Sequence, residues 1–177
     1  MDEAATEAVI LAINALGAGI LLFVSGVLQP IMNDMDELAF KKFALTLVRT
    51  ATSDPFVVTI ATIPVLAVLF YFVSYGFGHL WFTAGIVLWM IGSTITKITN
   101  LPVYEWIKDP KNIDPGQLRK RRRTLQLGNN WRAWITLLSV VVMACQFSVP
   151  ATVVAVAACA VITAPSMWLS RRYFQKG

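Results

Sequence analysis

The sequence has 177 residues, of which 56% are hydrophobic and only 14% are charged. A soluble domain carries about 25% charged residues, so this composition excludes an ordinary soluble protein, and its apolar content excludes a disordered chain. The net charge of +5 is concentrated in polar segments between long apolar ones. It indicates charge asymmetry between loops rather than a groove for nucleic acid, and we expect no nucleic-acid partner.

Five apolar segments are each long enough to cross a bilayer, which takes about 20 helical residues. They are residues 8–29, 55–74, 80–98, 131–149 and 152–169. The last two are separated only by Pro150 and its neighbours, so one bent helix is the alternative for that pair. We predict an all-α integral membrane bundle in a single domain, with a four-helix core and a fifth, C-terminal span.

Between the first two spans, residues 36–50 have the pattern of an amphipathic helix on the membrane surface. Pro30 is expected to end the first span, and Asp34 or Asp36 to cap the new helix. The apolar residues of the new helix are expected to face apolar surroundings, and its basic residues to point outward. The apolar set is Leu38, Phe40, Phe43, Leu47 and Val48, and the basic set is Lys41, Lys42 and Arg49.

Lysine and arginine are unequally distributed among the connecting segments. The segments after the first and third spans and the C-terminal tail are basic, whereas residues 75–79 and 149–151 contain neither residue type. Five spans put every basic segment on one side, which the positive-inside rule assigns to the cytoplasm. We expect the N-terminus outside or in a lumen, and the endoplasmic reticulum membrane if the source is eukaryotic. The tail residues concerned are Arg171, Arg172 and Lys176.

Residue types that bind metals and cofactors are scarce. Cys145 and Cys159 form no CxxC pair or metal-ligand spacing, and His79 is the only histidine. One histidine cannot provide bis-histidine haem ligation or a multi-histidine metal site. We therefore expect no metal and no cofactor, and interpret His79 as an interfacial hydrogen-bonding residue beside Trp81. The spans contain almost no ionisable residue, which argues against an ion-coupled transporter.

Four polar residues near the end of the third span form a notable cluster. Their spacing of three, one and three residues puts them along one stripe of a helix. Pro102 is expected to end this helix and leave the Asn100 amide near its end, able to contact a ligand. In the alternative interpretation, the hydroxyls bond back to their own helix and Asn100 only caps it. The cluster is Ser93, Thr96, Lys97 and Asn100.

Two tryptophans begin the fourth span three residues apart. Trp131 and Trp134 can both face the bundle at this spacing and form the walls of an aromatic pocket. The alternative is the aromatic belt at the membrane boundary, the role that we assign to Trp81 and Trp168. The basic run from Arg119 to Arg123 is interpreted as a topology signal and a contact for anionic lipid.

The order of these features resembles the DUF1772 membrane proteins, whose best-known members are the anthrone oxygenases of fungal polyketide pathways. The resemblance covers roughly residues 15–147. In order, the chain has a first span, a proline, a phenylalanine-rich amphipathic helix, an asparagine-proline motif, an arginine-rich stretch and a tryptophan pair. The motifs are Thr96-x-x-x-Asn100-x-Pro102 and Trp131-x-x-Trp134.

The resemblance implies a cofactor-free oxygenase of an aromatic polyketide such as an anthrone, which dioxygen converts to the quinone. It suggests Asn100 and Tyr104 as hydrogen-bond donors to an enolate oxygen and Glu105 as the base, with Asp36 less favoured. Tyr104 stands where family members often have a second asparagine. The expected substrate-binding residues are Phe23, Phe43, Thr96, Trp131 and Trp134.

Two other functions are compatible with the same residues. One is a non-catalytic scaffold or carrier whose helices pack through small residues. The other is an enzyme that acts on another apolar or lipid-like substrate in the same pocket. The expected partners are membrane lipid, an apolar aromatic small molecule and dioxygen, and a homo-oligomer is also compatible. The small residues are Gly17, Gly19, Gly26, Gly85 and Gly92.

Overall fold

The computed structural model describes residues 2–174, and every regular element in that range is helical. The predicted all-α bundle is confirmed. Lys176, which was counted in the basic tail, lies outside the described residues. The six helices are α1 (Glu3–Asp34), α2 (Glu37–Ser53), α3 (Pro55–Tyr75), α4 (Leu80–Lys108), α5 (Pro115–Ala144) and α6 (Val149–Phe174).

Within the described residues, four helices are long and apolar enough to cross a membrane: α1, α3, α4 and α6. The apolar part of α5 is its second half, because its first half carries the basic run. With 30 residues, α5 is about 45 Å long and exceeds a hydrocarbon core of about 30 Å. The fourth predicted span, residues 131–149, therefore corresponds to the second half of a longer helix that is not among these four.

The two C-terminal segments are separate helices, as predicted, but the turn between them lies earlier than expected. Helix α5 ends at Ala144 rather than Val149, and α6 begins at Val149. Pro150 lies in the first turn of α6, where its missing N–H leaves no helical hydrogen bond unmade. The apolar stretch of α6 buries none of its residues against the other helices.

The expectation that Pro30 and Pro102 end their helices is wrong. Both α1 and α4 continue through a five-residue π-helical segment, Val24–Leu28 and Thr96–Asn100, that comes just before each proline. Proline lacks an N–H and crowds the carbonyl four residues earlier. A wider π turn accommodates both effects, so the two helices continue to Asp34 and Lys108.

Two apolar cores lie at opposite ends of the bundle. The acidic end contains the start of α1 and the α3–α4 turn, and the basic end contains α2, the ends of α1 and α4, and the first half of α5. The core at the acidic end is formed by Ile10, Val68, Tyr71, Phe82, Ile86 and Met143. The core at the basic end is formed by Met32, Phe40, Ala44, Val103, Ile107 and Leu125.

Helix α2 corresponds to the predicted amphipathic helix, except that the Lys41 side chain points inward instead of outward. Asp36 caps it as expected, because its carboxylate accepts a hydrogen bond from the Ala39 amide at 2.8 Å. The expectation that Lys41 points outward is wrong. Its buried ammonium donates to the carbonyls of Asp109 at 2.7 Å and Asn112 at 3.0 Å, because unpaired carbonyls in the turn after α4 attract a cation. Lys41 thereby ties α2 to the α4–α5 connection.

Glycine allows α4 and α5 to approach closely, as the sequence predicted for Gly85 and Gly92. A Cβ on Gly85 would lie 2.9 Å from the Ser139 carbonyl oxygen and 3.0 Å from the Met143 nitrogen. The Ser139 hydroxyl donates to the Gly85 carbonyl at 2.8 Å. By contrast, a Cβ on Gly19 would meet no atom within 4 Å, so Gly19 is not part of a close contact.

We predict that Gly85→Ala lowers the free energy of unfolding by about 1–3 kcal/mol, because its methyl group meets the α5 backbone as well as the Met143 side chain, and the backbone cannot move aside as the side chain can. Unfolding of the purified protein in mixed micelles with increasing denaturing detergent measures this loss. Gly19→Ala is the matched control and is expected to be neutral or slightly stabilising, since alanine favours helix and nothing is crowded. Equal stabilities of the two variants would contradict the close packing of α4 on α5 at Gly85.

Candidate functional site

A chain of buried amide side chains joins α1, α4 and α5 between the two apolar cores. The side-chain amide of Asn100 donates from Nδ2 to Asn129 Oδ1 at 2.7 Å. The side-chain amide of Asn129 donates from Nδ2 to Gln29 Oε1 at 3.0 Å. Gln29 in turn donates to Asn33 at 3.0 Å. The Thr99 hydroxyl shares its one proton between the Ile95 carbonyl at 2.7 Å and Asn100 Oδ1 at 2.9 Å. We call these five residues the amide chain. In each hydrogen bond of the amide chain the donor is the residue nearer Thr99, so all of these bonds point from α4 through α5 to α1.

Gly128 sets the distance between helices at this crossing. A Cβ at Gly128 would overlap Asn100 Oδ1 and Thr99 Oγ1. Asn100 itself is 0% exposed. Its side chain faces the bundle, but its amide does not project from a helix end toward a ligand, because α4 continues past it and the carbonyl and one N–H are engaged. The interpretation of Asn100 as a free donor at a helix end is therefore wrong.

A second polar group lies one turn along α5 from Asn129. The Arg132 guanidinium donates from Nη1 to the Thr96 hydroxyl at 3.0 Å, and Thr96 donates to the Gly92 carbonyl at 3.5 Å. The Nε of Arg132 is buried and has no hydrogen-bond partner in the described part of the chain. Tyr104, partly buried against the core at the basic end, is close enough to interact electrostatically with Arg132. We call Thr96, Tyr104 and Arg132 the arginine site.

The predicted aromatic pocket around Asn100 is not formed inside the bundle. Trp131 and Trp134 are 63% and 59% exposed, and Phe23 is 52% exposed, so all three lie on the outer surface. The expectation that the two tryptophans face the bundle is wrong. Near the Gly128 crossing, the inward face of α5 consists of small and amide side chains, namely Gly128, Asn129 and Ala133, because the helices are too close there for larger ones. Phe43 packs on the core at the basic end.

The remaining predicted site residues lie apart from the amide chain. Glu105 is exposed, and the Asp36 carboxylate is used as a helix cap. Lys97 is exposed although Asn100 is fully buried, because the π-helical segment rotates the residues between them away from a regular stripe. The predicted stripe is therefore correct for Thr96 and Asn100, which both contact α5, and wrong for Lys97.

Sequence reasoning missed an ionisable cluster at the acidic end. Helix α1 begins at Glu3, earlier than the predicted span, so Glu7 is buried in the bundle. Its carboxylate accepts from the Tyr71 hydroxyl at 2.8 Å and lies 2.7 Å from His79 Nδ1. Glu3 is 3.5 Å from the same nitrogen. The spacing of Glu3 and Glu7, four residues apart on one helical face, was the available signal.

This cluster closes the acidic end by joining α1 to α3 and to the turn before α4. The hydrogen bond with Glu7 raises the pKa of His79, in opposition to the lowering effect of partial burial. Protonated His79 and the Glu7 carboxylate then form an ion pair. The ligand atoms of Glu3, Glu7 and His79 lie within 4.8 Å of one another, a spacing that would also suit a metal ion.

Comparisons with protein-family models, with curated proteins and with solved structures found no match to this chain. The function of the chain therefore has to be inferred from the arrangement of its side chains together with the motif resemblance.

The amide chain leads to a stability prediction. Asn129→Ala removes two buried hydrogen bonds and leaves Gln29 and Asn100 with unpaired polar atoms, so we expect the free energy of unfolding to fall by about 1–3 kcal/mol. The control variant is Asn130→Ala, at the neighbouring position, which loses one exposed hydrogen bond to Ser25. We expect it to change the free energy of unfolding by less than about 0.5 kcal/mol. Titration with denaturing detergent measures both, and similar losses would contradict a central role for the amide chain.

The cluster at the acidic end leads to a pH prediction. Because the pKa of His79 is raised above its ordinary value of 6.5 in the folded protein, its contribution to stability is complete below about pH 6.5 and is lost as pH rises through the raised pKa. Thermal unfolding midpoints in detergent should fall over that interval. The His79→Gln variant retains a hydrogen-bond donor without a titratable charge, so this part of the pH dependence should disappear. An unchanged profile in the variant would show that His79 is not responsible.

Proposed function

We propose that this protein is a membrane-embedded, cofactor-free oxygenase of an acidic, apolar aromatic compound such as an anthrone. The proposal combines the motif resemblance with one observation: a partly buried guanidinium, Arg132, has an unpaired Nε beside Thr96 and Tyr104. A positive charge with an unused donor is what a developing enolate oxygen requires. Arg132 replaces Asn100 in this role, because the Asn100 amide is engaged in the amide chain.

The exposed aromatic residues support access from the lipid. Ser25 is bonded to Asn130 at 3.0 Å, so Phe23 and Trp131, which are near these two residues in sequence, lie at a similar depth. Flat apolar compounds dissolve in the bilayer and can stack on exposed aromatic rings there. In our proposal Trp131, Trp134 and Phe23 hold the substrate on the outer surface of the bundle rather than in an internal pocket. The buried Nε of Arg132 reaches the substrate when the side chains that cover it move aside.

The chemistry needs only dioxygen. Loss of a proton from the carbon between the two aryl rings gives an enolate, whose oxygen Arg132 and Tyr104 stabilise, and the proton passes to water. The delocalised anion transfers one electron to dioxygen, and the resulting radical pair combines at that carbon to form a peroxide anion, which takes a proton back from water to give a hydroperoxide. Cleavage of the O–O bond with loss of the remaining hydrogen gives the quinone and one molecule of water. No residue other than the arginine site is required to act on the reacting atoms.

The proposed orientation follows from charge. The basic end would lie in the cytoplasm and the acidic end outside or in a lumen, as the positive-inside rule expects. In a eukaryotic cell we propose the endoplasmic reticulum, where a polyketide made in the cytosol can partition into the same leaflet as the arginine site.

A second candidate function is supported by the amide chain. Its links are satisfied and tightly packed around Gly128, which suits a non-catalytic scaffold or carrier whose polar layer serves only to hold three helices together. In that case Arg132 and Thr96 would form one more interhelical contact and would bind no substrate.

The oxygenase proposal predicts a loss of rate on changing Arg132. With purified protein in detergent, an anthrone and air, quinone absorbance should appear, and Arg132→Gln should lower kcat/KM on the order of a hundredfold, as for removal of an anion-binding donor. Arg132→Lys should retain part of the rate, because it keeps the charge without the planar donor geometry. Arg49→Gln, an exposed arginine on α2, is the matched control and should leave the rate unchanged.

Several outcomes would count against this proposal. No quinone formation by the unmutated protein would favour the scaffold, and equal rates for Arg132→Gln and the control would remove the arginine site from the mechanism. Loss of activity on adding a chelator would show that a metal takes part. Substrate consumption without oxygen uptake would favour an enzyme of another class at the same surface.

A further inference from the structure

An open cleft of about 540 Å³ lies at the basic end, between the last turn of α1 and the first half of α5. Arg119, Arg122 and Arg123 line it together with one acidic residue, Glu37. Three guanidinium groups and one carboxylate leave two positive charges uncompensated. The cleft is distinct from the arginine site, because Arg122 precedes Arg132 by ten residues, or about 15 Å along α5.

Arg122 is the buried part of this cleft. It is 8% exposed, and its guanidinium lies 4.9 Å from the centre of the Phe40 ring. Its Nη1 donates to the carbonyls of Met32 at 3.2 Å, Asn33 at 2.9 Å and Met35 at 2.7 Å, which closes the C-terminal end of α1. One side of the guanidinium is therefore fully used in holding the fold.

The other side of Arg122 is not used. Its Nε and Nη2 are buried and have no hydrogen-bond partner within residues 2–174. Buried charged donors without acceptors are costly, so such a pair calls for an explanation. The nearest carboxylate oxygen, on Glu37, is 4.0 Å from Nη2, beyond hydrogen-bond distance. Two adjacent guanidinium donors match two oxygens of one phosphate group.

Glu37 is held away from Arg122 by a neighbour. Arg119 Nε donates to Glu37 Oε1 at 2.8 Å on the exposed side of the cleft. A hydrogen bond to its own backbone amide, together with the bond from Arg119, lowers the pKa of Glu37 against the raising effect of desolvation. The carboxylate therefore stays charged at neutral pH, as an ordinary glutamate does. It competes with an incoming anion for Arg122 but does not fill the site.

We propose that this cleft binds a phosphate monoester, with Arg122 Nε and Nη2 as the buried donors and with Arg119, Arg123 and Gln126 at the rim. The group has two negative charges near neutral pH, which match the uncompensated charge of the cleft. It can belong to a lipid headgroup, since the cleft is near the end of the apolar part of α5, or to a soluble phosphorylated compound.

The test uses the purified full chain and two probes. Inorganic phosphate is titrated into protein in detergent, and nanodiscs containing phosphatidic acid are compared with nanodiscs containing phosphatidylserine at equal total charge. The thermal unfolding midpoint measures stabilisation by either probe, and calorimetry measures the affinity for phosphate. Stabilisation by phosphate alone supports a soluble ligand, and stabilisation by phosphatidic acid over phosphatidylserine supports a lipid headgroup.

Four variants separate a built site from general attraction to charge. Arg122→Gln should weaken binding on the order of tenfold to a hundredfold, since two charged hydrogen bonds are lost. Arg122→Gln also loses the contacts of Arg122 to α1 and could therefore disturb the fold, so Arg123→Gln is included as a second test. Arg123 lies at the rim of the cleft, and its replacement should weaken binding about threefold. Glu37→Gln removes the competing carboxylate and should tighten binding. Arg49 lies outside the cleft, so Arg49→Gln should leave the binding of both probes unchanged.

The proposal is overturned if neither probe stabilises the protein, or if phosphatidic acid and phosphatidylserine act equally and phosphate does not bind. It is also overturned if Glu37→Gln and Arg123→Gln leave binding unchanged, or if Arg49→Gln weakens it as much as Arg123→Gln does. None of these results depends on quinone formation, so this proposal and the proposed oxygenase can fail separately.

Discussion

Hydrogen bonding between buried amides is the constraint on which the arrangement of this bundle depends. Lipid offers no partner to a polar group, so Gln29, Asn100 and Asn129 must satisfy one another where α1, α4 and α5 cross. Two features of the backbone bring them together. The π-helical segments let α1 and α4 continue past their prolines, and Gly128 leaves space for the Asn100 side chain. A change in any of these would separate the donors from their acceptors.

The same crossing organises the rest of the molecule. It separates an apolar core at the acidic end from another at the basic end, and it positions Arg132 one turn from Asn129 on α5, within reach of Thr96. Each end is then closed by ionisable groups, with Glu7 and His79 at one end and Arg122 at the other. The proposed oxygenase site and the proposed phosphate cleft both use side chains of α5, the helix that packs against α1, α2 and α4.

Several predictions from sequence were correct because they rest on local rules. The Asp36 cap and the inward-facing Asn100 follow from residue type and spacing. Among the glycines considered for helix packing, Gly85 and Gly92 lie in close contacts, whereas Gly19 and Gly26 do not, because only the neighbouring helix decides which glycine is approached. The wrong predictions concern residues whose direction depends on a neighbouring helix. Lys41 turns inward because carbonyls of the α4–α5 connection are within its reach. Trp131 points outward because α5 presents Asn129 and Ala133 to the bundle, which puts residue 131 on the opposite face of the helix.

The sequence by itself determined that this chain is an all-α membrane protein, because the length and apolarity of its segments leave no other way to satisfy their backbone in lipid. It also indicated that Thr96 and Asn100 lie on one face of α4. Only the tertiary structure decided which side chains are buried together, since Gln29 and Asn129 are far apart in sequence and Glu7 meets His79 only when α1 packs on α3. Such contacts depend on helix crossings and on two π-helical segments, and both are set by packing rather than by the spacing of residues along one helix.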